Sequence, residues 1–67
     1  MSERCEGLVE YYDRKKGYGF ITPFGQRDLV YVSSDHLESC HVLAEGQHVS
    51  FVLRLAQGRF EAHDVRP

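Results

Sequence analysis

The sequence predicts an all-β protein, a five-stranded antiparallel barrel of the OB type. Three observations lead there. Glycine and proline punctuate the chain at Gly7, Gly17, Gly19, Pro23, Gly25, Gly46 and Gly58, leaving intervals too short for most helices. Between these breaks apolar and polar residues alternate with period two, as in strands with one buried face. A chain of 67 residues forms one domain, 1–67, too small to leave an open sheet with two bare edges and an uncovered face. The five-stranded barrel is the small solution, and its second and third strands commonly carry the ligand face.

The elements follow in order. Leu8 to Asp13 is the first strand and carries Val9, Tyr11 and Tyr12. Asp13-Arg14-Lys15-Lys16-Gly17 is a polar hairpin turn. Tyr18 to Thr22 is the second strand, alternating around Gly19, and Pro23 to Asp28 turns the chain again. Leu29 to Ser33 places Val30 and Val32 on one face and Tyr31 and Ser33 on the other. Ser34 to Glu38 reads as one helical turn with Ser34 as its N-cap. Glu45-Gly46-Gln47 leads into His48 to Leu55, where Val49, Phe51, Leu53 and Leu55 face the core and His48, Ser50 and Arg54 face away. Gln57-Gly58-Arg59 is a hairpin turn into the fifth strand, Arg59 to Val65. Its inward residues, Ala62 and Val65, are three apart, which predicts a bulge. Phe51, Tyr12 and Phe60 are assigned to the core, as most aromatics are.

Charge and composition remove several function classes. A formal net charge of −2 argues against a protein coated in positive charge. Charged residues at 27% beside 42% apolar residues argue against intrinsic disorder. No apolar stretch follows Met1-Ser2-Glu3-Arg4, and no run approaches the roughly 18 apolar residues of a membrane helix, so the expectation is a soluble cytoplasmic protein with no membrane contact. Cys5 and Cys40 make no disulfide framework and are expected to stay reduced. Cys40-His41, Cys5, His36, His48 and His63 lack metal-ligand spacing, and the last three fall on separate elements, so no metal site is expected. Ser33, Ser34, Asp35 and His36 are contiguous, and neighbours on a strand end do not converge as a triad requires, so no catalytic residues and no enzyme activity are expected. No phosphate-binding loop is present, and no cofactor is implied.

The chemistry concentrates in Lys16-Gly17-Tyr18-Gly19-Phe20-Ile21. On a strand Tyr18 and Phe20 project to one face and Ile21 to the other. The glycines remove side chains beside and between the rings. Tyr31 and Tyr11, from the neighbouring strands, extend the patch. Unpaired bases stack on such rings at about 1–3 kcal/mol per base, and Arg14-Lys15-Lys16 can meet phosphates. Two exposed rings side by side need a reason beyond folding.

These segments resemble the bacterial cold-shock domain over nearly the whole chain. Gly7-Leu8-Val9-Glu10-Tyr11-Tyr12-Asp13 is similar to the family's opening strand, and Lys16 to Ile21 to its first ribonucleoprotein motif. Asp28 through Ser33 is similar to the second motif, Glu45 to Phe51 to the Glu-Gly-Gln-x-Val-x-Phe segment, and Ala62 with Val65 to the terminal strand. The resemblance implies a five-stranded barrel that binds single-stranded RNA or DNA with little sequence selectivity and acts as an RNA chaperone or as a transcription or translation regulator. The contact residues it implies are Tyr11, Lys16, Tyr18, Phe20 and Tyr31. Position beside the rings adds Lys15 and, more weakly, Arg14, Arg27 and Arg59 as backbone contacts.

The departures carry information too. Glu10 stands where the family has lysine, Tyr11 where it has tryptophan, and Ser33 and Ser34 where it has histidine and an aromatic. The loop between Leu37 and Leu43 is about two residues short by the same resemblance and lacks an aromatic. Losing about three stacking groups predicts binding weaker by two or more orders of magnitude, or a shorter footprint. The alternative function is a protein-binding regulatory module on a repurposed barrel, since tyrosine-rich patches also serve protein interfaces. The chain is expected to be a monomer, with weak dimerisation through a strand edge or Cys40 left open.

Overall fold

The computed structural model describes residues 4–37 and 43–67. The chain forms β1 (Cys5–Asp13), β2 (Tyr18–Pro23), β3 (Val30–Ser33), a 3-10 turn (Ser34–His36), β4 (His48–Ala56) and β5 (Arg59–Arg66). They close in the order β1-β2-β3-β5-β4. Four of the seams are antiparallel. The closing seam, β3 with β5, is parallel and short, through Tyr31↔Glu61 and Val32↔Ala62. The five strands thus fall where the punctuation puts them, with ends that differ by one to three residues. Among the described residues no helix is long and apolar enough to cross a membrane.

One layer of side chains fills the barrel: Val9, Tyr12, Ile21, Val30, Val32, Leu43, Val49, Phe51, Ala62 and Val65. Period two accounts for most of it, as in β3, where Val30 and Val32 are buried and Tyr31 and Ser33 are not. Two bulges break the alternation. In β1 the register passes from Val9↔Ile21 to Tyr11↔Phe20, so Glu10 is the extra residue. The slip lets Val9 and Tyr12 both point inward, three apart, and turns Tyr11 out. In β5 the expected bulge lies between Ala62 and Val65, both fully buried. Its centre is Asp64 at φ 53°, a left-handed conformation that aspartate tolerates better than most residues.

Arg4 holds that bulge from the other end of the chain. Its Nη1 pairs with Asp64 Oδ2 at 2.8 Å, and its Nη2 donates to the Asp64 carbonyl at 2.7 Å and to Ser50 Oγ at 3.1 Å. Arg4→Ala is expected to lower unfolding stability by about 1 kcal/mol, the scale of a half-exposed charged hydrogen bond, read as a shift in the urea midpoint at constant slope.

Several assignments need correction. The 3-10 turn is capped by Ser33, whose side chain accepts from the Asp35 N–H, rather than by Ser34, and it ends at His36. Leu55 is 70% exposed and Phe60 37% exposed, so neither belongs to the core. They face each other across the end of the β4–β5 hairpin, beyond the reach of the core. That hairpin turns through Gln57 and Gly58, both at positive φ, the two-residue turn whose twist matches the strands. Glu38, Cys40, His41 and the rest of segment 38–42, where a short loop is expected, lie outside the described residues, as do Met1, Ser2 and Glu3.

Candidate nucleic-acid interface

Gly19 decides how closely β1 and β2 approach. A Cβ there would stand against the carbonyl oxygen of Tyr11 and 2.7 Å from Tyr12 Cα. The absence of that atom lets Tyr11↔Phe20 and Tyr12↔Gly19 pair directly. Phe20 in turn pairs with Tyr31, and Tyr18 with Ser33. Register alone therefore brings rings from β1, β2 and β3 to one outer face.

The rings form a continuous cluster with Tyr18 at its centre. Tyr18 meets Tyr11 at 6.4 Å between centroids and Phe20 at 6.0 Å, both edge to face. It meets Tyr31 at 5.9 Å with the planes 21° apart. Phe20 and Tyr31 close the group at 6.1 Å. Tyr11 is exposed, and the other three rings are half-buried. These are mutually favourable aromatic geometries, and they hold the cluster in shape on the outer face of the barrel.

Asp13, the first residue of the expected turn, organises the edge of the patch. Its Oδ1 accepts from the backbone N–H of Lys15 at 2.9 Å and of Lys16 at 3.0 Å. Its Oδ2 accepts from the Tyr11 hydroxyl at 3.3 Å. One carboxylate thus fixes both the turn carrying the lysines and the tilt of the outermost ring. An aspartate opening a polar turn was the available signal. The Lys16 N–H, the largest cause, together with those of Lys15 and the Tyr11 hydroxyl, outweighs partial desolvation and holds the Asp13 carboxyl below its ordinary 3.8. Partial desolvation, and then the charge of Asp13, push the Tyr11 hydroxyl up, so it stays a donor at neutral pH.

A carboxyl whose folded value is depressed adds stability that is present above its unfolded value and is lost as pH falls through the folded one. The turn is therefore expected to hold unchanged down to about pH 4 and to loosen below. A carbon-detected titration of Asp13 checks this. The midpoint should lie below 3.8, with the Lys15 and Lys16 amide shifts moving together with it.

Arg59 lies closer to the rings than a loop contact would. Its guanidinium carbon sits 4.0 Å from the Tyr31 centroid, a cation–π contact, while its Nε donates to Glu61 Oε2 at 3.3 Å. It caps one face of Tyr31. Lys15, Lys16 and Arg14 are exposed on the turn, and Arg27 is exposed on the β2–β3 connection. Glu10, at the bulge, accepts from Thr22 Oγ1 at 2.9 Å, which ties its charge to β2 beside the patch.

The expectation that the histidines stay apart fails for two of them. The 3-10 turn follows β3, and β3 lies parallel to β5, so His36 is carried over β5 and its ring stacks on His63 at 3.8 Å with planes 17° apart. His63 Nε2 lies 3.2 Å from Glu61 Oε1. Sequence separation hid this pair, because only the parallel seam brings the two elements together. His48 remains apart, bonded to Glu6 Oε1 at 2.8 Å on β1.

A closed five-stranded barrel presenting aromatic rings from its first three strands is an OB-type architecture, the class this chain represents. The comparisons narrow it further. Residues 5–67 match the family model described as 'Cold-shock' DNA-binding domain. The chain is 42% identical over 64 residues to cold shock protein CapA of Pseudomonas fragi, covering 92% of this chain and 100% of that protein. It is 40% identical over 67 residues to the major cold shock protein CspA of Pseudomonas aeruginosa, covering 98% of this chain and 97% of that one. This protein belongs to the cold-shock domain family. In structure it superposes on a Drosophila Unr fragment, CSD456, with a TM-score of 0.79 at 14% identity, covering 96% of this chain. The match spans 26% of that longer chain and speaks to the fold alone.

Proposed function

We propose that this chain binds single-stranded RNA or DNA by stacking bases on Tyr11, Tyr18, Phe20 and Tyr31, with Lys15, Lys16 and Arg59 meeting the backbone. The observation that carries the reading is the four-ring cluster on the outer face of β1, β2 and β3. Stacking surfaces accept any base and select for strands that are not paired, because a paired base cannot offer its face. A protein that traps unpaired bases opposes refolding of RNA, which is the physical content of an RNA-chaperone or regulatory role. Residues 1–67 act as one domain in this reading, and no chemical step is required. Family membership supports the ligand class, since the matching family is described as DNA-binding.

Binding is expected to be weaker than in relatives that keep more stacking groups. Ser33 and Ser34 offer no ring, and Glu10 places a negative charge beside the path of the phosphates. Arg59 contributes in two opposed ways. It supplies a cation, and it covers a Tyr31 face that a base would otherwise take.

The salt response tests the balance between stacking and charge. About three neutralised phosphates give a slope of log K against log salt near −2, so raising salt from about 50 to 200 mM should weaken oligo-dT binding about fifteenfold. Lys16→Ala should flatten that slope by about 0.7, the share of one phosphate on a single strand. A slope near zero with measurable binding would remove the lysines from the interface. If oligonucleotides leave the ring resonances unmoved, the surface serves a protein partner, the alternative reading.

A further inference from the structure

We infer that His36, Glu61 and His63 form a binding site for a borderline divalent metal ion of the zinc class. One ligand atom from each of the three residues lies within 4.8 Å of the others. The construction follows from topology. Glu61 and His63 are two apart on β5 and so project to one face. The 3-10 turn brings His36 over that face, and the neighbouring bridge Leu37↔Val65 fixes the turn against β5.

The donor set suits the ion. Two imidazoles and one carboxylate are a common zinc set that leaves a further position open, whereas magnesium and calcium prefer all-oxygen cages. The distances suit it as well. In a tetrahedral complex with bonds of about 2.0–2.1 Å, neighbouring ligand atoms stand about 3.3 Å apart. His63 Nε2 and Glu61 Oε1 are already 3.2 Å apart. The His36 and His63 rings are nearly parallel, at 17°. A lone pair lies in its ring plane, so chelation turns one ring about χ2 until both nitrogens converge.

The carboxylate is prepared for this role. The Glu61 carboxylate is held from both sides, by His63 at 3.2 Å and by Arg59 at 3.3 Å. Its side chain is only 15% exposed. Arg59 engages Oε2 while His63 engages Oε1. An ion bound at Oε1 therefore leaves the Arg59 contact, and through it the cap on Tyr31, in place. His48 with Glu6 offers only two donors and lies on the β1–β4 seam.

Zinc chloride titrated into the full chain, followed by imidazole nitrogen NMR, tests the site directly. The inference expects the His36 and His63 ring signals to move together, saturating at one ion per chain, with an apparent Kd below about 100 µM. His63→Gln and, separately, His36→Gln should weaken binding by at least about tenfold, while His48→Gln should leave it unchanged. Both rings lie outside the barrel core, and having two variants guards against either one perturbing the turn. Magnesium at the same concentration should move neither ring. No movement of these rings at 1 mM zinc, movement confined to His48 or the thiols, or an equal response to magnesium overturns the assignment. The readout needs no nucleic acid, so it stands apart from the proposed function.

Discussion

Replacing Phe20 with alanine is expected to weaken oligo-dT binding by about 5- to 150-fold, the loss of one stacked base at about 1–3 kcal/mol. Phe20 sits at the middle of the outer face, between Tyr11 on β1 and Tyr31 on β3. Its ring contacts Tyr18 and Tyr31 edge to face, so deletion also frees two neighbours that it orients. The inward side of β2 is carried by Ile21, fully buried, and is untouched. The barrel should therefore stay folded, with unfolding stability lowered by about 1 kcal/mol. Phe51→Ala makes the contrast. That ring fills the centre of the core, and its loss should cost about 3–5 kcal/mol of stability. For a domain of this size, whose total lies in the range of about 3–10 kcal/mol, that approaches unfolding. Fluorescence anisotropy for binding and urea melts for stability separate the two variants. Equal loss of stability in both would mean that Phe20 is a core residue.

Gly19→Ala should destabilise the protein by about 3 kcal/mol or more, far beyond the usual effect of one methyl group. The added carbon meets backbone on the facing strand, the Tyr11 carbonyl oxygen and Tyr12 Cα, and the Tyr12 ring edge at 2.8 Å. A side chain could rotate away, but backbone cannot move without parting β1 from β2. The two strands that would separate carry Tyr11, Tyr18 and Phe20, so any folded fraction should also bind more weakly. A thermal melt checks the first effect, and a change within about 0.5 kcal/mol of the parent would contradict the close approach.

Much of this was legible in the chain. Strands showed because glycine and proline interrupt short period-two runs, and β3 shows the rule most simply, with valines in and tyrosine and serine out. The bulge in β5 showed because Ala62 and Val65 break that period. The bulge at Glu10 did not show, although Tyr12 is expected inside and Tyr11 outside, because no residue of the strand marks where the period-two alternation breaks. The register with β2 supplies that position, slipping between Val9 and Tyr11. Leu55 and Phe60 misled for a different reason. Alternation gives the face of a strand but not where the barrel beneath it ends, and their hairpin runs past that end.

The ring patch was legible from local spacing. Its supports were not. Asp13 reaches both the turn and Tyr11 by folding back on its own strand. Arg59 reaches Tyr31, and His36 reaches His63, only across the parallel β3–β5 seam. Contacts made by strand closure between segments far apart in sequence leave no trace in local pattern, and the Arg59–Tyr31 and His36–His63 contacts are of this kind.

The central claim is that bases stack on the outer face of β1, β2 and β3. Amide and aromatic shift mapping of the full chain with oligo-dT, in about 50 mM salt where charge contacts are strongest, tests it most directly. The expected result is movement concentrated at Tyr11, Lys15, Lys16, Tyr18, Phe20, Tyr31 and Arg59, abolished or shifted to much higher ligand concentration in Phe20→Ala. Shifts centred elsewhere on the barrel, or none at millimolar oligonucleotide, would contradict it.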